Sequence, residues 1–131
     1  MFKCLEKLGI TAKEFKELTE MNPDLESMDE KDIENSILFL RDLECPDGTI
    51  RNIILSDAFY LSRVITDLEK TVHKLKEIGF MKFEIIDLID SYPFILEIDD
   101  FEIDKFVEKK LSEGMPLIDI CESIIYDPYE I

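Results

Sequence analysis

The sequence predicts an all-α solenoid of short helical repeats, on three observations. The chain aligns with itself at a period of about 35 residues. Within each copy, apolar residues recur at helical spacing twice, over a longer and then a shorter stretch. Prolines and glycines punctuate the copies at matching places.

The first row runs from Phe2 to Ser36, the second from Ile37 to Thr71 and the third from Val72 to Phe106. A truncated fourth row covers Val107 to Ile131. Leu5, Leu40 and Leu75 share one column. Gly9, Gly79 and Gly114 share another, with Glu44 as the exception. Phe15, Ile50, Ile85 and Ile120 align, as do Ile33, Leu68 and Ile103, and then Ile37, Val72 and Val107. The fourth row reads as displaced by one residue, because its leucine is Leu111 rather than residue 110.

The elements follow from these columns. A short helix is expected over about 12–21, opened by Thr11 and Glu14 in capping-box spacing. Pro23 ends it, since proline lacks an N–H and turns the preceding Asn22 away from helical geometry. "DLESM" then makes one tight apolar turn. A long helix follows over about 28–43, with Ile33, Ile37 and Leu40 on one face and Ser27 with Glu30 as a second capping box. "PDG" at 46–48 turns the chain into the short helix of row two, about 48–57, where Ala58 stands in the proline column. The next long helix, about 63–78, repeats the face with Leu68, Val72 and Leu75, and Ser62 stands in the column of Ser27. Gly79 falls where a left-handed residue closes a helix. A short helix at about 82–91, Pro93 with "FILEI", and a long helix at about 99–113 complete row three. Gly114, a short helix at about 117–126 and Pro128 with "YEI" complete the partial fourth. One row cannot bury its apolar faces alone, whereas stacked rows can.

Composition agrees with one folded domain over residues 1–131, for 131 residues that are 46% hydrophobic can form a continuous core. The net charge of −16 repels nucleic acid and anionic membranes on average, while leaving room for local basic patches. Three dispersed cysteines, Cys4, Cys45 and Cys121, argue against a disulfide framework and for a reducing, cytoplasmic setting. The start "MFKCLEKLGI" is no secretory signal, and no apolar run has membrane-spanning length.

"LGITAKEFKELTEMNPDL" and "IGFMKFEIIDLIDSYPFIL" resemble repeats of the mitochondrial transcription termination factor (mTERF) family. The likeness covers nearly the whole chain, as three repeats and a partial fourth; row two, lacking both the glycine and the proline, fits least well. The resemblance implies a curved all-α solenoid, here expected to be short and right-handed. It also implies binding of double-stranded DNA or RNA along a positively charged face.

Charges are segregated along the long helices. The starts are acidic: Asp29, Glu30 and Asp32; Asp67 and Glu69; Asp99, Asp100, Glu102 and Asp104. The ends are basic: Arg41; Lys70, Lys74 and Lys76; Lys105, Lys109 and Lys110; the incomplete first copy adds Lys3 and Lys7. Complementing the helix dipole explains this layout without a ligand, and a phosphate-binding edge explains it with one. The candidate edge for nucleic acid or a partner is Lys3, Lys7, Arg41, Lys74, Lys76, Lys109 and Lys110.

No catalytic constellation, metal set or cofactor motif stands out. His73 is the only histidine and reads as surface; the acidic pairs sit where helix starts place them. The expectation is a non-enzymatic interaction module without cofactor, first an acidic scaffold for a protein partner with a basic surface. The alternative is an mTERF-like nucleic-acid-binding factor using the basic edge. On net charge, the first is expected to dominate, with duplex binding no tighter than about millimolar at physiological salt. The truncated last row leaves the C-terminal face open to a homodimer.

Overall fold

The computed structural model describes residues 1–128 and 131, and these contain eight α-helices, three 3₁₀ turns and no strand. The chain forms two compact units, Met1–Ile65 and Thr66–Ile131. The first holds α1 (Lys3–Lys7), α2 (Ala12–Met21), a turn at Pro23–Ser27, α3 (Glu30–Asp42), α4 (Asp47–Ser56) and a turn at Tyr60–Ser62. α5 (Ile65–Ile78) leads into the second unit, with α6 (Lys82–Ser91), a turn at Pro93–Glu97, α7 (Asp100–Ser112) and α8 (Leu117–Tyr126). Tyr129 and Glu130 of the expected "YEI" turn lie outside the described residues.

The repeat register is carried by one backbone bond in every row. Ile10 N–H donates to Leu5 O, Cys45 to Leu40, Phe80 to Leu75 and Met115 to Lys110, each at 3.1 Å. This six-to-one closure of a helix needs a left-handed residue just before the donor. Gly9, Gly79 and Gly114 supply it with φ of +85°, +117° and +88°, and Glu44 adopts +67° without being glycine. The fourth row is therefore not displaced: Lys110, not Leu111, occupies the leucine column, and Leu111 lies exposed. The methylene stem of a lysine can occupy an apolar position while its ammonium reaches out. Gly79→Ala should cost about 1–2 kcal/mol through the left-handed backbone alone. A thermal melt reads this, and an unchanged melting temperature would contradict the assigned turn.

The short helices end at residues 21, 56, 91 and 126, one residue before the expected end in row two and as expected in the others. Their C-caps, Asn22, Asp57, Tyr92 and Asp127, are all non-helical, with φ of −135°, −129°, −144° and −140°. Pro23 and Pro93 open the turns that follow. Row two lacks the proline and holds the same bend by side chains. Asp57 Oδ1 accepts the Phe59 N–H at 3.1 Å, and Asp57 Oδ2 accepts Arg63 Nη2–H at 2.8 Å and Nε–H at 3.2 Å. The Arg63 and Asp57 side chains are only 12% and 10% exposed, so this clamp is largely shielded from water.

The Thr11 capping box forms: Thr11 Oγ1 accepts the Glu14 N–H at 3.1 Å, and Glu14 Oε1 accepts the Thr11 N–H at 2.9 Å. The hydrogen bond from the Thr11 backbone holds the Glu14 carboxyl below the usual carboxylate range. Glu84, in the same column, likewise accepts the Met81 N–H at 2.9 Å. The expected Ser27–Glu30 box does not form. Ser27 Oγ instead donates to Asp24 O at 3.0 Å within its own turn, as Ser62 does to Phe59 O at 3.1 Å. Met28 and Arg63 stay extended, so α3 and α5 begin two residues later than expected. Glu30 Oε1 instead accepts the Cys4 N–H at 3.1 Å and ties α1 to α3.

Each unit buries its own columns. In the first, Leu5, Leu25, Ile33, Leu40, Ile50 and Tyr60 are fully enclosed; in the second, Leu75, Ile85, Leu88, Ile95 and Ile120 are. The polar groups taken inside are paired. Tyr60 OH donates to Ser36 O at 2.8 Å, and Asn22 Nδ2 donates to Ala58 O and Ser62 Oγ, both at 3.0 Å. Asn22 thereby joins the first two turns of the unit, which an apolar residue could not do.

Candidate nucleic-acid interface

The basic residues concentrate at helix C-terminal ends because the carbonyls there are unsatisfied and the helix dipole is negative. Arg41 lies in the last turn of α3, Lys76 in that of α5, and Lys109 with Lys110 in that of α7; acids fill the first turns of all three. In the first unit, Lys7 and Arg41 line one cavity of about 170 Å³ between α1 and α3, over a floor of Ile37 and Leu38. Lys3 opens α1 and is exposed. In the second unit, Lys105, Lys109 and Lys110 line a cavity of about 270 Å³ with Glu102, Phe106 and Ile131.

These cations are not equally available. Lys74 Nζ donates to Asp104 Oδ2 at 2.9 Å, and that hydrogen bond raises its pKa. Lys74 thus cross-links α5 and α7 through a partner 30 residues away that no sequence pattern marks. Arg41 Nε lies 3.2 Å from Asp47 Oδ1, in an exposed pair of small energetic value. Lys110 is held over the Phe106 ring at 5.5 Å from its centroid and lies 4.0 Å from Glu113. Among the described residues, Lys3, Lys7, Lys76 and Lys109 form no ion pair. Of the seven candidate residues, these four are the most ready to meet a phosphate.

His73 is on the surface, 3.7 Å from Glu77. Among the described residues, no three His, Cys, Asp or Glu side chains gather at metal-binding distance, and no helix is long and apolar enough to cross a membrane. Cys4 and Cys121 have pKa values of about 11, raised first by burial and then by Glu30 at Cys4 and by Glu84 at Cys121. The thiolate fraction at pH 8 is therefore about a hundredfold below that of an ordinary thiol. Iodoacetamide should alkylate both about a hundredfold more slowly than free cysteine, and rapid labelling of the folded protein would contradict this.

Rows of long helix, left-handed closure, short helix and proline turn define a helical-repeat protein of the α-solenoid class. The chain belongs to the mTERF family, whose family model it matches over residues 1–124. No curated protein matches it in sequence.

Proposed function

We propose that this chain is a nucleic-acid-binding repeat factor that acts without catalysis and grips duplex phosphates with the cationic ends of its long helices. Family membership carries this reading, and the position of the ion-pair-free lysines supports it. It reverses the order that net charge alone suggests. The −16 charge acts at long range and is screened beyond about 10 Å at 0.1 M salt, while a lysine–phosphate contact is local. Electrophoretic mobility shifts with duplex DNA and RNA at two salt concentrations test it. The expected result is a retarded complex at low salt that Lys76→Glu/Lys109→Glu abolishes. No complex at either salt concentration would refute it.

One observation favours a second reading, in which the acidic helix starts receive a basic protein partner. Phe94 and Phe101 are exposed beside Glu97, Asp99 and Asp100 at the start of α7, and apolar groups within a charged rim suit a protein contact.

A further inference from the structure

The cleft between α1 and α3 has a counterpart between α5 and α7, two periods on. There Lys74 and Asp104 stand in the columns of Cys4 and Glu34, and their 2.9 Å hydrogen bond ties the two helices together. In the first unit Cys4 offers no cation, and the exposed Glu34 forms no ion pair among the described residues. A cavity of about 170 Å³ stands open between the helices, lined by Cys4, Lys7, Glu34, Ile37, Leu38 and Arg41. Its cations are also its own, for the columns of Lys7 and Arg41 hold Glu77 and Leu111 in the second unit. The lining is ordered along α3. Arg41 lies in the last turn, Ile37 and Leu38 in the middle, and Glu34 two turns before Arg41, about 10 Å along the axis. Burial holds the Cys4 thiol neutral, with a pKa of about 11, so the wall beside Glu34 adds no charge.

We infer that this cleft is a site for one pyrimidine nucleotide, cytidine monophosphate foremost: the phosphate lies at Lys7 and Arg41, the ring on Ile37 and Leu38, and the amino group at Glu34. An apolar cavity of about 150 Å³ holds one benzene ring, so this cleft admits one six-membered ring and leaves sugar and phosphate at its rim. The cytosine amino group donates to a carboxylate, whereas uracil presents a carbonyl oxygen at that position, which Glu34 repels. Arg41 Nε lies 3.2 Å from Asp47 Oδ1, but the pair is exposed and holds the guanidinium weakly, so a phosphate displaces the aspartate. The same chemistry is offered by a free nucleotide and by the phosphorylated end of a strand. The choice of a nucleotide over another ring-bearing anion rests on the nucleic-acid reading above; the cleft itself does not.

Isothermal titration calorimetry of the full chain with cytidine monophosphate tests the site. Saturable binding is expected, with uridine monophosphate and ribose phosphate each about tenfold weaker. Lys7→Glu/Arg41→Glu should weaken cytidine monophosphate about tenfold or more with the thermal melt unchanged, since both side chains are exposed. Glu34→Ala should erase the preference for the cytidine over the uridine nucleotide. Ribose phosphate binding as tightly as the nucleotide would overturn the ring seat, and unaltered affinity in the double variant would overturn the site. Two further titrations identify the source. A short deoxycytidine strand phosphorylated at its 5′ end that matches the free nucleotide, with its unphosphorylated form much weaker, assigns the cleft to strand ends. A free nucleotide that outbinds both strands assigns it to the free form. Duplex binding without cytidine monophosphate binding overturns the site and leaves the nucleic-acid reading standing. Cytidine monophosphate binding without duplex binding removes that reading and leaves the site.

Discussion

Asp57→Ala is expected to destabilise the protein by about 2–3 kcal/mol, because it removes the carboxylate that accepts three shielded hydrogen bonds at the bend after α4. Asp57 replaces what proline does in the other rows. It holds the bend after α4 through the Phe59 N–H at 3.1 Å and through two bonds from Arg63. Removing the carboxylate frees the bend and deletes two hydrogen bonds of a guanidinium whose side chain is 12% exposed. Pro93→Ala should cost only about 1 kcal/mol, through unfolded-state entropy. Chemical denaturation with a double-mutant cycle separates the causes. Asp57→Ala with Arg63→Leu should cost less than the sum of the two single changes, because both break the same pair. If Asp57→Ala cost no more than Pro93→Ala, the clamp would have no energetic role.

Leu68→Ala and Ile103→Ala should each cost about 2–5 kcal/mol, since each deletes most of a buried side chain and leaves a cavity. The two residues occupy one column, a period apart on α5 and α7, and both are enclosed. Leu111→Ala, by contrast, should be nearly neutral, because Leu111 is exposed and the leucine column of row four belongs to Lys110. Melts of the three variants check the register. A Leu111→Ala variant as unstable as Leu68→Ala would restore the one-residue displacement that the sequence suggests.

Most of the fold is legible in the sequence because it rests on short-range rules. Helical spacing locates the helices, and glycine and proline locate their ends. The same rules fail where a side chain finds a distant partner. Ser27 and Glu30 have capping-box spacing, but Glu30 is engaged by Cys4 of α1, 26 residues away. Arg63 and Asp57 give no sign that they replace a proline, since a salt bridge carries no periodicity. Leu111 misleads because its apolar character outweighs position, whereas the backbone bond from Met115 to Lys110 fixes the column. For the candidate interface, the sequence locates the basic helix ends but does not rank them. Lys74 reads like Lys76 and Lys109, yet its ammonium is held by Asp104 at 2.9 Å.

The salt dependence of duplex binding tests the central claim most directly. Affinity for a short duplex, measured by anisotropy across a salt series, should fall linearly on logarithmic axes as counterions are released. Lys76→Glu/Lys109→Glu should reduce the magnitude of the slope by about 0.9 for each phosphate no longer neutralised, roughly 1.8 in all. A variant with the wild-type slope, or a wild-type protein that binds no duplex even at low salt, would contradict phosphate binding by the ends of the long helices.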